Sequence, residues 1–596
     1  PNWMDPPLSY VVGGQLESLE LYRGIAPVSV AQESIGGAVD AKTRKGEFTS
    51  NKNFTLSGRV MASAQSVNDG YHLETALYAS NNQHRIKAAA MTETADDADF
   101  DGGTITPSEY ERQRYDLGYG FRSGNHTVQI DYGFQDTGEA GTPALPMDIE
   151  SIEGDLLNLS YDYDNNAGMQ IAVSLYGSDL KHSMSNYHLR SAPSGPRWRR
   201  NDVSSENAGF KVSTTMREDD GAWVFGWDGF TEEHDSTITN PNNAMFFVTN
   251  YNGAEREIIG AFLERQQTFN DRWRAEFGIR YNRISMNADD VNGTPAMMMP
   301  PAQALRDNFN SADRSQTDNN LDLVAKVWFK ANETTSWYAG IAQKNRSPSY
   351  IERYLCLPLE ATGGLADGFT YTGNIALNPE TAREIELGLD FSNNRLTISP
   401  RLFYRKVDDY IQGTPSTVAP AVMFVNMMNN AMGTSNPAPL QFTNVDAVLY
   451  GFDVDWAVQI TENLSISGLI NYVRGERDDS SNDDLYRIAP LNAAFRIGYA
   501  RDDWSAELES AVYAEQDDVS ATNAEQETSG YGVVNVRAIW QTTPSLQLAA
   551  GVDNLFDRNY EDHLSGYNRA ANPDIALRSR LPGYGANAYV RALYQF

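Results

Sequence analysis

The 596-residue sequence contains a single cysteine, few basic residues and no long apolar run. One cysteine, Cys356, excludes an internal disulfide framework and a cysteine-based zinc site within the chain. Lys and Arg number 47 against 79 Asp and Glu, a formal net charge of −32. This charge argues against nucleic acid as a partner, because both molecules would be polyanions. No uninterrupted apolar stretch reaches about 18 residues, which excludes a membrane protein built from helices.

A membrane β-barrel remains compatible with this composition, because only alternate residues of its strands face lipid. Aromatic residues make up 11% of the chain, which suits the aromatic girdles of such a barrel, although a soluble β-rich protein could have the same content. Apolar side chains alternate with polar ones in many segments. At the C-terminus, Phe596, Tyr594 and Val590 share one face of a strand, whereas Gln595 and Arg591 share the other. The chain thus ends on an amphipathic strand with a terminal aromatic residue.

Short polar turns and long connections alternate along the chain, which predicts the size of the barrel. Ten short turns are expected near Asn82, Gly124, Asn166, Asp219, Asn270, Asn332, Asn393, Glu462, Asp502 and Thr543. An outer-membrane barrel has short periplasmic turns and long extracellular loops. If the first and last strands both end at the periplasm, the ten periplasmic turns join strands 2 and 3 through strands 20 and 21. The sequence therefore predicts an all-β, 22-stranded antiparallel transmembrane barrel over residues 51–596. A barrel this wide needs a plug, and the glycine-containing short strands of residues 1–50 are expected to be the C-terminal part of that plug domain.

Several motifs resemble those of TonB-dependent outer-membrane receptors. In that family a characteristic motif ends the plug domain. This chain has a similar motif at residues 19–24 (LELYRG) and 33–39 (ESIGGAV). A mid-barrel signature resembles residues 345–350 (NRSPSY), 374–380 (NIALNPE) and 386–389 (ELGL). The C-terminal signature resembles residues 551–557 (GVDNLFD) followed by Tyr560. The resemblance implies a transporter in the bacterial outer membrane that is coupled to TonB. It also implies a signal peptide, a TonB-binding box and most of the plug before Pro1. The sequence shows no Ser/His/Asp order or phosphate-binding loop, which predicts that the protein is not an enzyme.

One branch of this family imports copper, and two parts of the sequence resemble that branch. Residues 2–10 (NWMDPPLSY) resemble a plug segment in which Met4 would be a metal ligand, together with a cysteine four residues earlier. The second half of that site is a His-x-Met pair, and His182 and Met184 of this chain resemble it. The resemblance therefore implies a copper ion, as transported substrate, held by Met4, His182 and Met184, with no catalytic cofactor.

The chemistry of the pair supports the same interpretation. Residues i and i+2 of a strand point the same way, so His182 and Met184 can bind one ion. They continue the polar parity of Gln170, Ser174 and Ser178 and are expected to face the lumen. Thioether and imidazole ligands select copper over Mg, Ca or Mn.

Other methionines are accessory candidates in the outer loops. These are Met147, Met297, Met298, Met299, Met423, Met427, Met428 and, in the same loop, Met432. They could pass a soft ion inward, or they could simply fill irregular loop packing. Cys356 is expected in a long loop, either as an exposed soft ligand or without a role.

Two alternatives to copper import remain at this stage: a receptor of the same fold for a siderophore or another metal chelate, and a passive outer-membrane pore. Aromatic and arginine side chains that converge in a pocket would favour the chelate. A lumen left open in the whole protein would favour the pore.

Overall fold

Long antiparallel strands form a closed barrel in the computed structural model, which describes residues 10–30, 32–363, 367–479, 481 and 483–596. The wall has 22 strands, each hydrogen-bonded to its neighbours, and the last strand pairs with the first to close the circle. The wall strands are β3 (Thr55–Gln65), β4 (Tyr71–Ser80), β5 (His84–Ala95), β8 (Tyr110–Ser123), β9 (His126–Ala140), β10 (Asp148–Asp164), β11 (Met169–Ser185), β12 (Arg200–Glu218), β13 (Gly221–Thr239), β14 (Phe247–Thr268), β15 (Trp273–Asn287), β17 (Gln316–Asn332), β18 (Thr335–Arg346), β20 (Glu380–Ser392), β21 (Leu396–Pro415), β22 (Leu440–Gln459), β23 (Leu464–Arg477), β24 (Asn492–Ala500), β25 (Trp504–Tyr513), β26 (Tyr531–Thr543), β27 (Leu546–Asp553) and β28 (Asn587–Gln595).

The predicted barrel is confirmed in strand number and in the position of its turns. Each of the ten predicted turns joins two wall strands; for example, residues 81–83 join β4 to β5 and residues 219–220 join β12 to β13. The apolar parity faces outward, where Leu117 is 60% exposed and Trp227 55%. These side chains form the lipid-facing band of the wall.

The connections at the other end of the barrel carry the remaining elements. The short strands there are β6 (Ala98–Phe100), β7 (Gly103–Ile105), β16 (Asn292–Gly293) and β19 (Tyr371–Thr372). The helices are α1 (Thr294–Met298), α2 (Pro300–Ser311), α3 (Tyr350–Tyr354), α4 (Glu360–Gly363) and α5 (Ala419–Met432). None of the helices in the described residues has the length and apolar character required to span a membrane.

An apolar core, here called the outer core, joins these connections to the ends of the strands below them. Tyr354 and Phe424 at its centre are fully buried. Its buried members are Ile238, Val248, Tyr251, Ala254, Ile258, Ile284, Met286, Ala288, Val291, Ala296, Ala302, Leu305, Phe309, Tyr350, Ile351, Tyr354, Leu355, Cys356, Leu357, Tyr371, Leu377, Ile411, Ala421, Phe424, Leu440 and Phe442. The outer connections are therefore a packed layer over one side of the lumen.

Residues 10–50, here called the luminal segment, lie inside the wall. The hairpin of β1 (Leu16–Arg23) and β2 (Gly37–Thr43) forms a separate two-stranded sheet. Beyond it, the Ile25 amide donates a hydrogen bond to Glu386 of β20 at 3.0 Å, and the Ser29 amide donates to Glu264 of β14 at 2.7 Å. That this segment ends a plug domain at residue 50 stays a prediction.

Candidate functional site

The His-x-Met pair lies near the outer end of β11. His182 is 8% exposed and Met184 2% exposed, whereas Leu175, on the opposite face of the same strand, is 47% exposed. The pair therefore faces the lumen, and both side chains are largely shielded from solvent. Because alternate residues of a strand point to one side, the thioether and the imidazole can approach a single ion.

The neighbouring strands and an outer helix hold this end of β11 in place. Met184 pairs with Asn201 of β12, and Asn201 pairs with Ile238 of β13. The Asn201 amide donates a hydrogen bond to the Ala361 carbonyl of α4 at 3.3 Å and accepts one from the Ser236 hydroxyl at 2.8 Å. This network links the strand next to Met184 to the outer connections.

Met147 lies beside the pair on the adjacent strand connection. It directly precedes Asp148, which pairs with Ser185, the residue after Met184, and its side chain is only 3% exposed. Arg190 holds this segment in place, because its Nε donates to Asp148 at 2.7 Å and its Nη1 donates to the Leu145 carbonyl at 2.9 Å. A second thioether is thus buried close to the outer end of β11.

A cavity of about 280 Å³ opens among the outer connections next to Met147. Its wall combines thioethers, apolar side chains and two arginines, with Met147, Met428, Met432, Arg197, Arg199, Phe246, Ile238 and Val248 among its lining residues. The Arg199 guanidinium lies 4.1 Å from the centre of the Phe246 ring and donates to the Pro196 carbonyl at 3.1 Å. Burial lowers the pKa of Arg199. The arginines and Phe246 are functional candidates that the sequence analysis missed, although the run Arg197-Trp198-Arg199-Arg200 signals such a cluster.

The other candidate methionines divide into two groups. Met297, Met298, Met423 and Met427 are 58%, 76%, 54% and 39% exposed, whereas Met299 and Met428 pack against the outer core. Both groups lie in the predicted outer connections, after the eleventh and fifteenth wall strands, but these connections are partly helical: Met297 and Met298 lie in α1 and the later group lies in α5. Ordinary packing therefore accounts for Met299 and Met428 but not for the four exposed residues.

Of the two alternatives for Cys356, the structure contradicts the exposed soft ligand. The thiol is 5% exposed within the outer core, and burial raises its pKa to about 12. Met4 lies outside the described residues. Elsewhere, across the part of the chain that the structure describes, His, Cys, Asp and Glu side chains do not come together in threes that could hold a metal ion.

Comparison with known proteins places this geometry in a family. The family described as TonB dependent receptor-like, beta-barrel matches residues 68–555. The ferric enterobactin receptor PirA of Pseudomonas aeruginosa is 22% identical over 94% of this chain and 76% of its own length. The metal-pseudopaline receptor CntO from the same species is 24% identical over 52% of this chain and 38% of its own length.

The fold is also found among solved structures. The structure titled copper transporter OprC superposes with a TM-score of 0.84, covers 100% of this chain and 88% of that chain, and is 21% identical in sequence. The ferric enterobactin receptor PfeA superposes with a TM-score of 0.71 at 14% identity and covers 98% of this chain and 87% of that chain. Likeness at this level of identity establishes the fold. With a family match over most of its length, the chain belongs to the TonB-dependent receptors, the transporters of the bacterial outer membrane, and is not an enzyme.

Proposed function

We propose that this receptor imports copper ions, with His182 and Met184 as ligands on the barrel wall and Met4 as a ligand from the plug. The observation that carries the proposal is the buried His182–Met184 pair on the lumen face of β11. A thioether and an imidazole held on one strand face need little ordering when they bind a soft ion, and this ligand set selects copper. The likeness to a copper transporter agrees with it.

Burial next to a second thioether strengthens this assignment. Met147 is held beside the end of β11 by the Arg190–Asp148 ion pair, at 2.7 Å. A ligand from the plug would complete the set, and movement of the plug towards TonB would remove it. The ion would then lose a ligand and be released inward, because fewer ligands bind it more weakly. In this scheme residues 1–50 are the end of the plug and residues 51–596 the barrel.

Metal analysis of the purified full-length receptor tests the proposal. We expect about one tightly bound copper ion in the wild type and none in His182→Ala or Met184→Ala, with the barrel still folded. Met216→Ala is the matched control, because Met216 lies on the lipid side of β12 and is 40% exposed. Full copper occupancy in both site variants would refute the assignment.

A second candidate function is the import of a metal chelate, and the cavity beside Met147 specifically favours it. Its size approaches that of small-molecule sites, and its lining pairs Arg197 and Arg199 with Phe246. A guanidinium recognises carboxylates through paired hydrogen bonds. If the metal arrives as a carboxylate chelate, Arg199→Gln should reduce uptake of copper citrate several-fold and spare uptake of free copper. Equal uptake of both forms by this variant would exclude the chelate.

A further inference from the structure

A patch of five side chains lies on the lumen face of the neighbouring strands β3, β4 and β5, on other strands than the His182–Met184 pair. Glu74 of β4 pairs with Met61 of β3 on one side and with Met91 of β5 on the other. His72 and Glu93 form the adjacent row, because they pair with each other two residues along the same strands. Directly opposite residues on one face have Cβ atoms about 5 Å apart. Two thioethers therefore flank one carboxylate, with an imidazole beside it.

The imidazole of His72 has a fixed orientation. Its Nδ1 lies 3.2 Å from Glu93, and Glu93 is held in turn by Arg112 at 2.6 Å. The other ring nitrogen, Nε2, lies 3.7 Å from Glu74 Oε2. A carboxylate on one nitrogen that directs the other towards an ion is the usual support of a metal-binding histidine.

The contact between His72 and Glu74 is too long for a hydrogen bond but suits two ligands of one ion. In a tetrahedral site with ligands about 2.1 Å from the metal, two ligand atoms are about 3.4 Å apart. Among the described residues, neither Glu74 oxygen nor His72 Nε2 has a hydrogen-bond partner, although each of these atoms is buried. Arg59 approaches only the other oxygen, Oε1, at 3.8 Å. Buried polar atoms that have ionic neighbours but no hydrogen bond call for a ligand, since leaving them unsatisfied costs free energy.

The luminal segment covers this patch. Glu74 is fully buried and Met91 is 2% exposed. A Cβ on Gly14 would lie 1.9 Å from Glu74 Oε2, so the backbone at Gly14 closes directly over the carboxylate. Movement of this segment would therefore uncover Glu74.

The patch lies nearer the periplasmic end of the barrel than the outer pair does. Glu74 is the seventh residue from the periplasmic end of β4, whereas His182 is the fourteenth from that end of β11. Seven residues of strand correspond to about 23 Å. An ion released from the outer pair would therefore meet this patch on its way inward.

We infer that Met61, His72, Glu74 and Met91, here called the inner cluster, form a second binding site for the transported soft metal ion. The inference rests on the proposed copper import. Two thioethers and an imidazole suit Cu⁺, and the harder carboxylate makes the set less favourable than a purely soft one. Arg59 and Arg112 balance the charges of Glu74 and Glu93, so the site has no negative excess. It therefore binds the ion weakly, as a transient site on the transport path must if the ion is to leave again.

Binding and uptake of Cu⁺ under anaerobic conditions test the inner cluster in the full-length receptor. The variant is Met61→Leu with Met91→Leu, because Leu keeps the volume and removes the thioethers. We expect the wild type to bind a second, weaker equivalent of Cu⁺ that this variant loses. Its first equivalent should be unchanged, and its uptake into cells should be slowed about tenfold.

The matched control is Met169→Leu with Met216→Leu, a directly opposed methionine pair on the lipid side of β11 and β12. The control should bind and transport like the wild type. A wild type without a second equivalent, or a Met61/Met91 variant that retains it, would overturn the inner cluster. A wild type that binds no Cu⁺ at all would instead overturn the proposed function, so the two failures are distinguishable.

Discussion

The outer core and the luminal segment are held in the barrel by different forces. At the centre of the outer core, Phe424 and Tyr354 are fully buried among other apolar side chains. The luminal segment is held mainly by charges and hydrogen bonds, among them the ion pair of Glu33 with Arg256 and the bond from Lys211 to the Ser29 carbonyl at 2.7 Å. Ile25 and Val28 insert into a small apolar pocket of the wall.

This difference indicates which part stays and which part can move. Buried apolar surface is stabilising only while water is excluded, so opening the outer core costs the full transfer free energy. Hydrogen bonds of a displaced segment are replaced by bonds to water, and the net cost of each is about 1 kcal/mol. The outer core should therefore stay closed over the lumen. The luminal segment is held in a defined position but can be displaced at a lower cost in free energy. A site between wall and plug would be dismantled by that withdrawal.

Phe424→Ala should produce the largest loss of stability, and this loss should be confined to the outer core. Loss of a fully buried phenylalanine costs about 3–5 kcal/mol, which corresponds to a more than 100-fold increase in local opening. Proteolysis of α5 on intact cells measures it, because cleavage requires the helix to open. Met423→Ala on the same helix, where the side chain is 54% exposed, is the control and should be cut at the wild-type rate. Equal protection of both variants would show that the outer core is not packed as described.

Asp228→Asn should have a smaller effect, confined to the luminal segment. Asp228 pairs with the fully buried Arg280, whose Nη1 also donates to the Val28 carbonyl at 3.2 Å. Removal of the charge weakens these bonds by about 1.5–3 kcal/mol, so amide hydrogen exchange in residues 25–30 should accelerate about 10- to 100-fold. Exchange in α5 should stay unchanged. Faster exchange in both regions would mean that they open together, contrary to the comparison drawn here.

The four exposed methionines of the outer connections should have an effect on uptake of only a few-fold. Replacement of Met297, Met298, Met423 and Met427 by Leu removes soft ligands that capture the ion weakly. We expect slower copper uptake at limiting copper and normal uptake at high copper. Replacement of Met299 and Met428 is the comparison set, because their packing against the outer core needs no metal. Unchanged uptake at limiting copper would show that the four exposed methionines do not capture the ion.

The thiol of Cys356 should not react with alkylating reagents in the folded receptor. Its raised pKa of about 12 means that the thiol stays protonated at pH 8, and the thiolate is the reactive form. We expect iodoacetamide to leave Cys356 unmodified at pH 8 and to label it after unfolding in denaturant, as read by mass spectrometry. Rapid labelling of the folded protein would show that the outer core is open.

The barrel could be predicted because its periodicity is local. Side chains alternate between lipid and lumen, and turns carry residues such as Asn166 and Gly124 that adopt left-handed backbone angles, here φ of 55° and 57°. The helices of the outer connections were not predicted, because long connections between barrel strands were expected to be irregular. Helix α5 has recognisable ends, since Pro420 lies in its first turn and Gly433 follows it with a φ of 65°.

Only the part of the site that lies on a single strand could be predicted from the sequence. The lumen-facing direction of His182 and Met184 follows from strand parity. The closeness of Met147 to Met184, and of Glu74 to Met61 and Met91, depends on the register between strands, which no single segment of the sequence encodes. Arg199 and Phe246 meet only because two outer connections pack together. Such contacts require the folded chain.

X-ray absorption at the copper edge tests the central claim most directly. The full-length receptor would be loaded with one equivalent of Cu⁺, so that the stronger outer site fills first. We predict a copper environment of sulfur ligands with one imidazole nitrogen in the wild type, and loss of the tightly bound copper and its absorption signal in His182→Ala after weakly bound ion has been removed by gel filtration. A spectrum with only oxygen and nitrogen ligands, or one that His182→Ala leaves unchanged, would contradict the assignment of His182 and Met184 as the copper site.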